Sequence, residues 1–229
     1  DAYEAAFCDR TRAVLLEAPG SLSMEVCDLP ALARIAREKG AVSVLDNTWA
    51  SPLGFAGLSH GIDVVLMALT KHVGGHSDLM MGSASAGPEL YAKLRGRAQQ
   101  LGNVVSPDDA ALALRGLRTL HLRLAHEAQS ALEIATWLSK RPEVAQVLCP
   151  MLPGAPGHDL WKRDFTGGCG LFSFTFRGGD AAARNRFIDA LTLFGIGYSW
   201  GGFESLAIPI EPSAYRSNMA WPPAPAAEG

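Results

Sequence analysis

A lysine at the end of an apolar run is the residue with the clearest chemical potential in this sequence. Residues 62–85 read IDVVLMALTKHVGGHSDLMMGSAS, and Lys71 follows closely on the aliphatic stretch 64–69. That stretch is β-branched and aliphatic and far too short to span a membrane, so it reads as a buried parallel strand. Thr70 and Lys71 then fall at its C-terminal end, the edge of an open α/β sheet where ligands bind, and Gly74-Gly75 permits a tight turn just beyond. Taken alone, Lys71 is most simply a solvated lysine at a strand exit. A carboxylate alters that weighing. The preceding strand, read at 42–46, ends in Asp46-Asn47-Thr48-Trp49. If the two strands are neighbours, Asp46 and Lys71 open onto one cleft, either as a structural ion pair or around a bound group.

Several chemistries compete for these residues. His72 and His76, with Asp78, have an H-x-x-x-H spacing, but that spacing puts two imidazoles on one face only in a helix, and Gly74-Gly75 opposes a helix here; no metal site is expected. No G-x-S-x-G elbow marks a nucleophilic serine, and the glycine-rich phosphate loops of dinucleotide and P-loop proteins are absent. A third candidate is a lysine that forms an imine with pyridoxal 5'-phosphate. Such a site needs an amine, a carboxylate to keep the pyridine nitrogen protonated, an anion cup and an aromatic face. Lys71 and Asp46 supply the first two, and Thr70 offers a hydroxyl to the phosphate. Desolvation beside the strand would bring the lysine towards the pKa of about 7 to 8 that a working base needs.

The elements that must position these groups follow a strand, helix, strand, loop, strand order. Residues 13–17 read as a strand leaving through Pro19-Gly20-Ser21. A helix follows from an Asp28 N-cap with Pro30 in its first turn to a Gly40 stop. This alternation predicts a mostly parallel sheet with right-handed crossovers. Beyond Lys71, residues 78–86 predict another strand and 88–97 a short helix. Ser106-Pro107-Asp108-Asp109 is a strong helix start. The tract from there towards Lys140 is too long for one ordinary helix, so two helices with a bend near Gly116 or His121 are expected, bridging to a second domain. That domain reads as α+β: a strand at 144–148, the alternating GLFSFTF at 170–176 with one covered and one wet face, and a helix at 180–194 opened by Asp180. The expected division is 1–135 and 136–229. In Tyr198-Ser199-Trp200-Gly201-Gly202, paired glycines beside aromatics suggest a close backbone approach to a partner or ligand.

Composition excludes other classes. Of 229 residues, 48% are hydrophobic and 19% charged, and the net charge of −3 gives no footprint for nucleic acid and no polybasic block for an anionic membrane. No apolar segment approaches the roughly 20 residues of a membrane span, and no leader pattern opens the chain, so a cytoplasmic protein is expected. Cys8, Cys27, Cys149 and Cys169 form no C-x-x-C pair and read as reduced structural thiols. The sequence opens at Asp1 and closes in AWPPAPAAEG at 220–229, a run unable to form a core, and it reads as a fragment of a longer protein.

Four ordered motifs, DNTWASP at 46–52, LTKHVGGHSD at 69–78, RGLRTL at 115–120 and YSWGGFESL at 198–206, together resemble the cysteine/methionine-metabolism branch of the fold-type I pyridoxal-phosphate-dependent enzymes. The resemblance implies a three-layer large domain with a smaller C-terminal α+β domain. It implies roles: Lys71 as Schiff-base lysine and proton shuttle, Asp46 on the pyridine nitrogen, Thr48 against the ring, Thr70 on the phosphate, and Ser199 and Trp200 at the substrate carboxylate. The Ser-Trp-Gly-Gly at 199–202 matches β-lyase members, where γ-synthases and γ-lyases usually carry Ser-Leu-Gly-Gly, and Trp161 to Gly167 points the same way. The implied activity is carbon-sulfur lyase chemistry: β-elimination of cystathionine to homocysteine, pyruvate and ammonia in methionine biosynthesis. A γ-lyase, γ-synthase or sulfhydrylase is the alternative, and a non-catalytic remnant is the alternative of another class. A homotetramer with shared sites is also implied. Glu17 to Ser21 also resembles the β-lyase members, since Ser21 stands where γ-synthases and γ-lyases usually have asparagine. The family's phosphate loop, stacking tyrosine and carboxylate-binding arginine fall outside residues 1–229, and Arg216 is too near the 198–206 motif to take the arginine's role.

Overall fold

The structure, a computed structural model, describes residues 2–221; Asp1 and most of the proline- and alanine-rich run at 220–229 lie outside the described residues. A short helix α1 (Ala2–Ala5) precedes β1 (Ala13–Glu17), α2 (Leu29–Glu38), β2 (Val42–Asp46), α3 (Ser51–Gly54), β3 (Val64–Ala68) and β4 (Gly82–Ala86). The four strands form one sheet in the order β1-β2-β3-β4. The first three are parallel, with Glu17 beside Asp46 and Asp46 beside Leu66, and β4 runs antiparallel to β3. β2 and β3 are therefore the neighbours that the Asp46 and Lys71 reading requires.

Local chemistry accounts for the helix starts. The Asp28 carboxylate accepts from the Ala31 N–H at 3.1 Å, and Pro30 stands in the first turn of α2. Ser106 accepts from the Asp109 N–H at 3.0 Å at the start of α5 (Pro107–Leu117), after α4 (Pro88–Gln100). Each satisfies one of the amide donors that the first helical turn leaves free. The expected bend in the long helical tract falls at Arg118-Thr119, between the two residues that flagged it, and α6 (Leu120–Leu138) carries on. Beyond it come β5 (Val144–Leu148), α7 (His158–Asp164), β6 (Ser173–Phe176) and α8 (Ala181–Asp189), with β5 and β6 in a separate antiparallel pair.

α6 is the structural bridge. Its Leu120, Leu124, Ala131, Ala135 and Leu138 are buried in a single cluster that joins Leu16, Leu45 and Val65 of the large sheet to Val144, Val147 and Leu148 of the small one. At roughly 1.5 to 3 kcal/mol for each large apolar side chain removed from water, this face fixes α6 against both sheets.

Three expectations need adjustment. The strand predicted at 78–86 is confined to 82–86, because Met81 is held by the Thr70 side chain in the preceding loop. The helix predicted at 180–194 ends at Asp189, and Gly195 instead bridges to Leu206. Strand β6 shows no wet face: all four of its residues are half-buried, since Phe174 and Phe176 pack edge-on with Phe187 of α8 while only one strand pairs with it. No helix among the described residues is long and apolar enough to cross a membrane.

Candidate active site

Asp46 and Lys71 both lie where parallel strands end, and their surroundings differ. The Asp46 Oδ1 accepts from the Thr48 N–H at 2.9 Å and from the Thr48 hydroxyl at 2.5 Å. The same hydroxyl oxygen accepts from the Ala68 N–H at 2.9 Å, so Thr48 ties the carboxylate at the end of β2 to the end of β3. Oδ2 has no hydrogen-bond partner among the described residues. Next door, the Asn47 side chain is buried and donates to the Phe55 carbonyl at 2.8 Å, which locks the loop after β2. Trp49 donates its indole N–H to the Leu171 carbonyl at 2.9 Å, anchoring that loop to the C-terminal part of the chain.

Lys71 sits in a tight turn in which the Gly74 N–H reaches the Leu69 carbonyl at 2.7 Å and the Gly75 N–H the Lys71 carbonyl at 2.8 Å. Its amine donates to the Ser199 hydroxyl at 2.8 Å and lies 5.1 Å from the centre of the Trp200 ring. Burial pushes the Lys71 ammonium below its ordinary range, because the charged form loses hydration that one hydroxyl and a ring face do not replace. Among the described residues no ion pair joins Lys71 to Asp46. The structural ion pair that would have made both groups inert is thus not formed.

Two glycines let the 198–206 segment approach the turn. A Cβ on Gly201, whose φ is +77°, would lie 3.0 Å from both the Lys71 Cβ and the His72 N. Farther along, the Ser77 hydroxyl donates to the Glu204 carboxylate at 2.8 Å. The close backbone approach expected of Gly201-Gly202 is therefore made to the Lys71 turn itself.

Of the six residues singled out by sequence, the structure brings Asp46 and Thr48 together, and Lys71, Ser199 and Trp200 together. Thr70 is engaged elsewhere: its hydroxyl accepts from the Met81 N–H at 3.0 Å and donates to the Met81 carbonyl at 3.2 Å. The two histidines weighed as metal ligands are separated in partner and direction. His76 contacts the Gly74 carbonyl at 2.8 Å, while His72 is 3% exposed beside Glu127 and Trp200. Sequence reasoning missed Arg123, whose guanidinium reaches the carbonyls of His72, Val73 and Gly116. Its only signal was an Arg-x-x-x-Glu spacing with Glu127, the pattern of an exposed helical ion pair.

The residues present fit a pyridoxal-phosphate site in part. An incompletely solvated amine beside an indole face follows one strand and a carboxylate with a free oxygen ends the adjacent one, whereas Thr70, the one phosphate ligand named, is already hydrogen-bonded.

Comparison with known proteins agrees with that chemistry. The chain is 49% identical over 210 residues to a putative cystathionine beta-lyase of Rhizobium johnstonii, covering 90% of this chain and 53% of that protein. It is 47% identical over 212 residues to a cystathionine beta-lyase of Bordetella avium, covering 92% and 53%. Among solved structures, a cystathionine gamma synthase from Xanthomonas oryzae pv. oryzae, in complex with aminoacrylate and cysteine, matches with a TM-score of 0.80 and 41% identity over 85% of this chain and 50% of that one. The chain spans about half the length of the curated relatives it matches. The family model for Cys/Met metabolism PLP-dependent enzymes matches residues 1–220, and the chain belongs to that family.

Proposed function

We propose that the protein is a pyridoxal-phosphate-dependent carbon-sulfur lyase that converts cystathionine to homocysteine, pyruvate and ammonia. The observation that carries this reading is the amine of Lys71 held against Ser199 and Trp200 while Asp46, at the end of the adjacent strand, stays unpaired. Lys71 would hold the cofactor through its Nζ, and the same Nζ would take the proton from the substrate Cα. Its lowered proton affinity suits that work, since a fully protonated ammonium is neither nucleophile nor base. Asp46 would keep the pyridine nitrogen protonated, and Thr48 fixes the rotation of its carboxylate from Oδ1. Pyridoxal phosphate supplies, when bound, the electron sink that stabilises negative charge at Cα. Ser199 and Trp200 orient the substrate carboxylate, and Thr70 contributes to the phosphate site after exchanging its Met81 contacts.

The wider reading follows from the same resemblance: a cytoplasmic enzyme of methionine biosynthesis, a homotetramer of dimers with shared sites, and two units in this chain, supported by its two separate sheets, with the expected 135/136 boundary falling inside α6. Incubating the full-length protein with cystathionine and identifying the keto acid tests the reaction. Pyruvate is expected; 2-oxobutyrate would transfer the assignment to γ-elimination, and neither product would leave a non-catalytic protein. Lys71→Ala should abolish the visible absorbance of the lysine-bound cofactor.

A further inference from the structure

The anchor lysine is held in place from the bridging helix. Arg123 of α6 donates from Nη1 to the His72 carbonyl at 2.7 Å, and from Nη2 to the Gly116 carbonyl at 2.9 Å and the Val73 carbonyl at 3.3 Å. Its Nε donates to the Thr119 hydroxyl at 3.1 Å, so every guanidinium nitrogen has a partner. Gly75, at φ +71°, leaves the room: a Cβ there would run into the guanidinium. One turn on, the Glu127 carboxylate lies 3.1 Å from His72 Nδ1, not aligned for a hydrogen bond. The buried His72 ring lies 5.3 Å, centre to centre, from Trp200. Arg123 and Glu127 thus present no ion pair to each other. They reach separately to the residue directly after Lys71, one to its backbone and one to its side chain.

We propose that Arg123 is a positioning residue, which fixes the 71–75 turn against α5 and α6 and so sets the direction from which the Lys71 amine enters the site. This inference rests on the proposed function for its catalytic consequence. The geometry itself does not depend on it. The fork matters more than the charge. Nη2 joins the Val73 and Gly116 carbonyls while Nη1 holds the His72 carbonyl and Nε the Thr119 hydroxyl, and a lysine ammonium, with its three donors on one atom, cannot serve all four acceptors. Losing the bridge leaves the His72 and Val73 carbonyls of the turn without their guanidinium donors, unties them from the Gly116 carbonyl of α5 and lets the turn shift. A misplacement of about 1 Å at a reacting group costs about 100-fold in rate.

The test uses the full-length holoenzyme carrying Arg123→Met or Arg123→Lys. Amide hydrogen exchange at Gly74 and Gly75 should quicken by about tenfold or more in both variants, while exchange in β1 and β2 stays as in the parent. The pH titration of the lysine-bound cofactor absorbance should shift in both, and kcat should fall about 10- to 100-fold with KM changed less. Parental exchange and titration in Arg123→Met, or full restoration by Arg123→Lys, would overturn the proposal. Should Arg123→Met not fold, Thr119→Val decides, since it removes the hydroxyl holding Nε and is expected to quicken the same exchange more mildly. If the parent shows no cofactor on Lys71, the proposed function fails, and the exchange comparison still judges the clamp.

Discussion

Replacing Gly116 with alanine sets two effects of opposite sign against each other. Gly116 lies in the last turn of α5, where alanine is favoured over glycine by up to about 1 kcal/mol. Against this, a Cβ at Gly116 would fall deep inside contact distance of the Val73 carbonyl oxygen, 2.9 Å from the Gly74 oxygen and 3.0 Å from the Val73 carbonyl carbon. All three are backbone atoms of the Lys71 turn, which Arg123 holds in place, so no flexible side chain can give way. Overpacking of this kind costs about 1 to 3 kcal/mol, and contact with backbone on one side and a helix on the other belongs at the upper end. A net loss of about 2 kcal/mol is expected. Gly96 of α4 is the internal control, because nothing among the described residues lies within 4 Å of a Cβ there. Gly96→Ala should therefore gain about 0.5 to 1 kcal/mol from propensity alone. Urea unfolding of the parent and both variants should move the midpoint down for Gly116→Ala and up for Gly96→Ala. Equal stabilisation by the two substitutions would refute the close approach of α5 to the turn.

Thr48→Val removes the hydroxyl shared by Asp46 and Ala68, leaving an N–H at the strand end without its acceptor, and should weaken cofactor binding about tenfold by equilibrium titration; an unchanged affinity would contradict the role given to Thr48. Ser199→Ala takes away the hydroxyl that receives the Lys71 amine, and KM for cystathionine should rise about three- to tenfold, whereas an unaltered KM would place the substrate elsewhere. For pH, burial holds Lys71 below its ordinary value of 10.5, so between that lowered value and 10.5 the unfolded chain binds more protons than the folded one. The lysine's contribution to stability consequently rises with pH through that window. Denaturation of the cofactor-free protein should show the parent gaining on Lys71→Met as pH increases there, and a constant difference would mean the lysine is not desolvated.

Much of this arrangement was legible in the chain because the signals are local. An apolar run ending in lysine, and another ending in aspartate, place two functional groups at the same sheet edge once the strands are neighbours, as β2 and β3 are. Asp28, Ser106 and Asp180 announce helix starts by bonds three residues long, and each of those bonds is formed. The parts that escaped depend on distant backbone. Arg123 finds its acceptors some fifty residues earlier in the chain, and carbonyl groups leave no trace in side-chain spacing. Thr70 carries a hydroxyl suited to a phosphate, yet its partner is the Met81 main chain, fixed by how the loop returns into β4. The stop of α8 at Asp189 is likewise tertiary, since it is set where Gly195 meets Leu206 and not by a proline or glycine at the helix end.

The central claim is that Lys71 is the covalent anchor of pyridoxal phosphate. Borohydride reduction of the full-length protein loaded with the cofactor, followed by proteolysis and mass mapping, fixes the label on whichever amine held it. The label is expected on the peptide carrying Leu69-Thr70-Lys71-His72 and nowhere else in stoichiometric amount. Labelling spread over Lys39, Lys93, Lys140 and Lys162, or none at Lys71, would contradict the assignment.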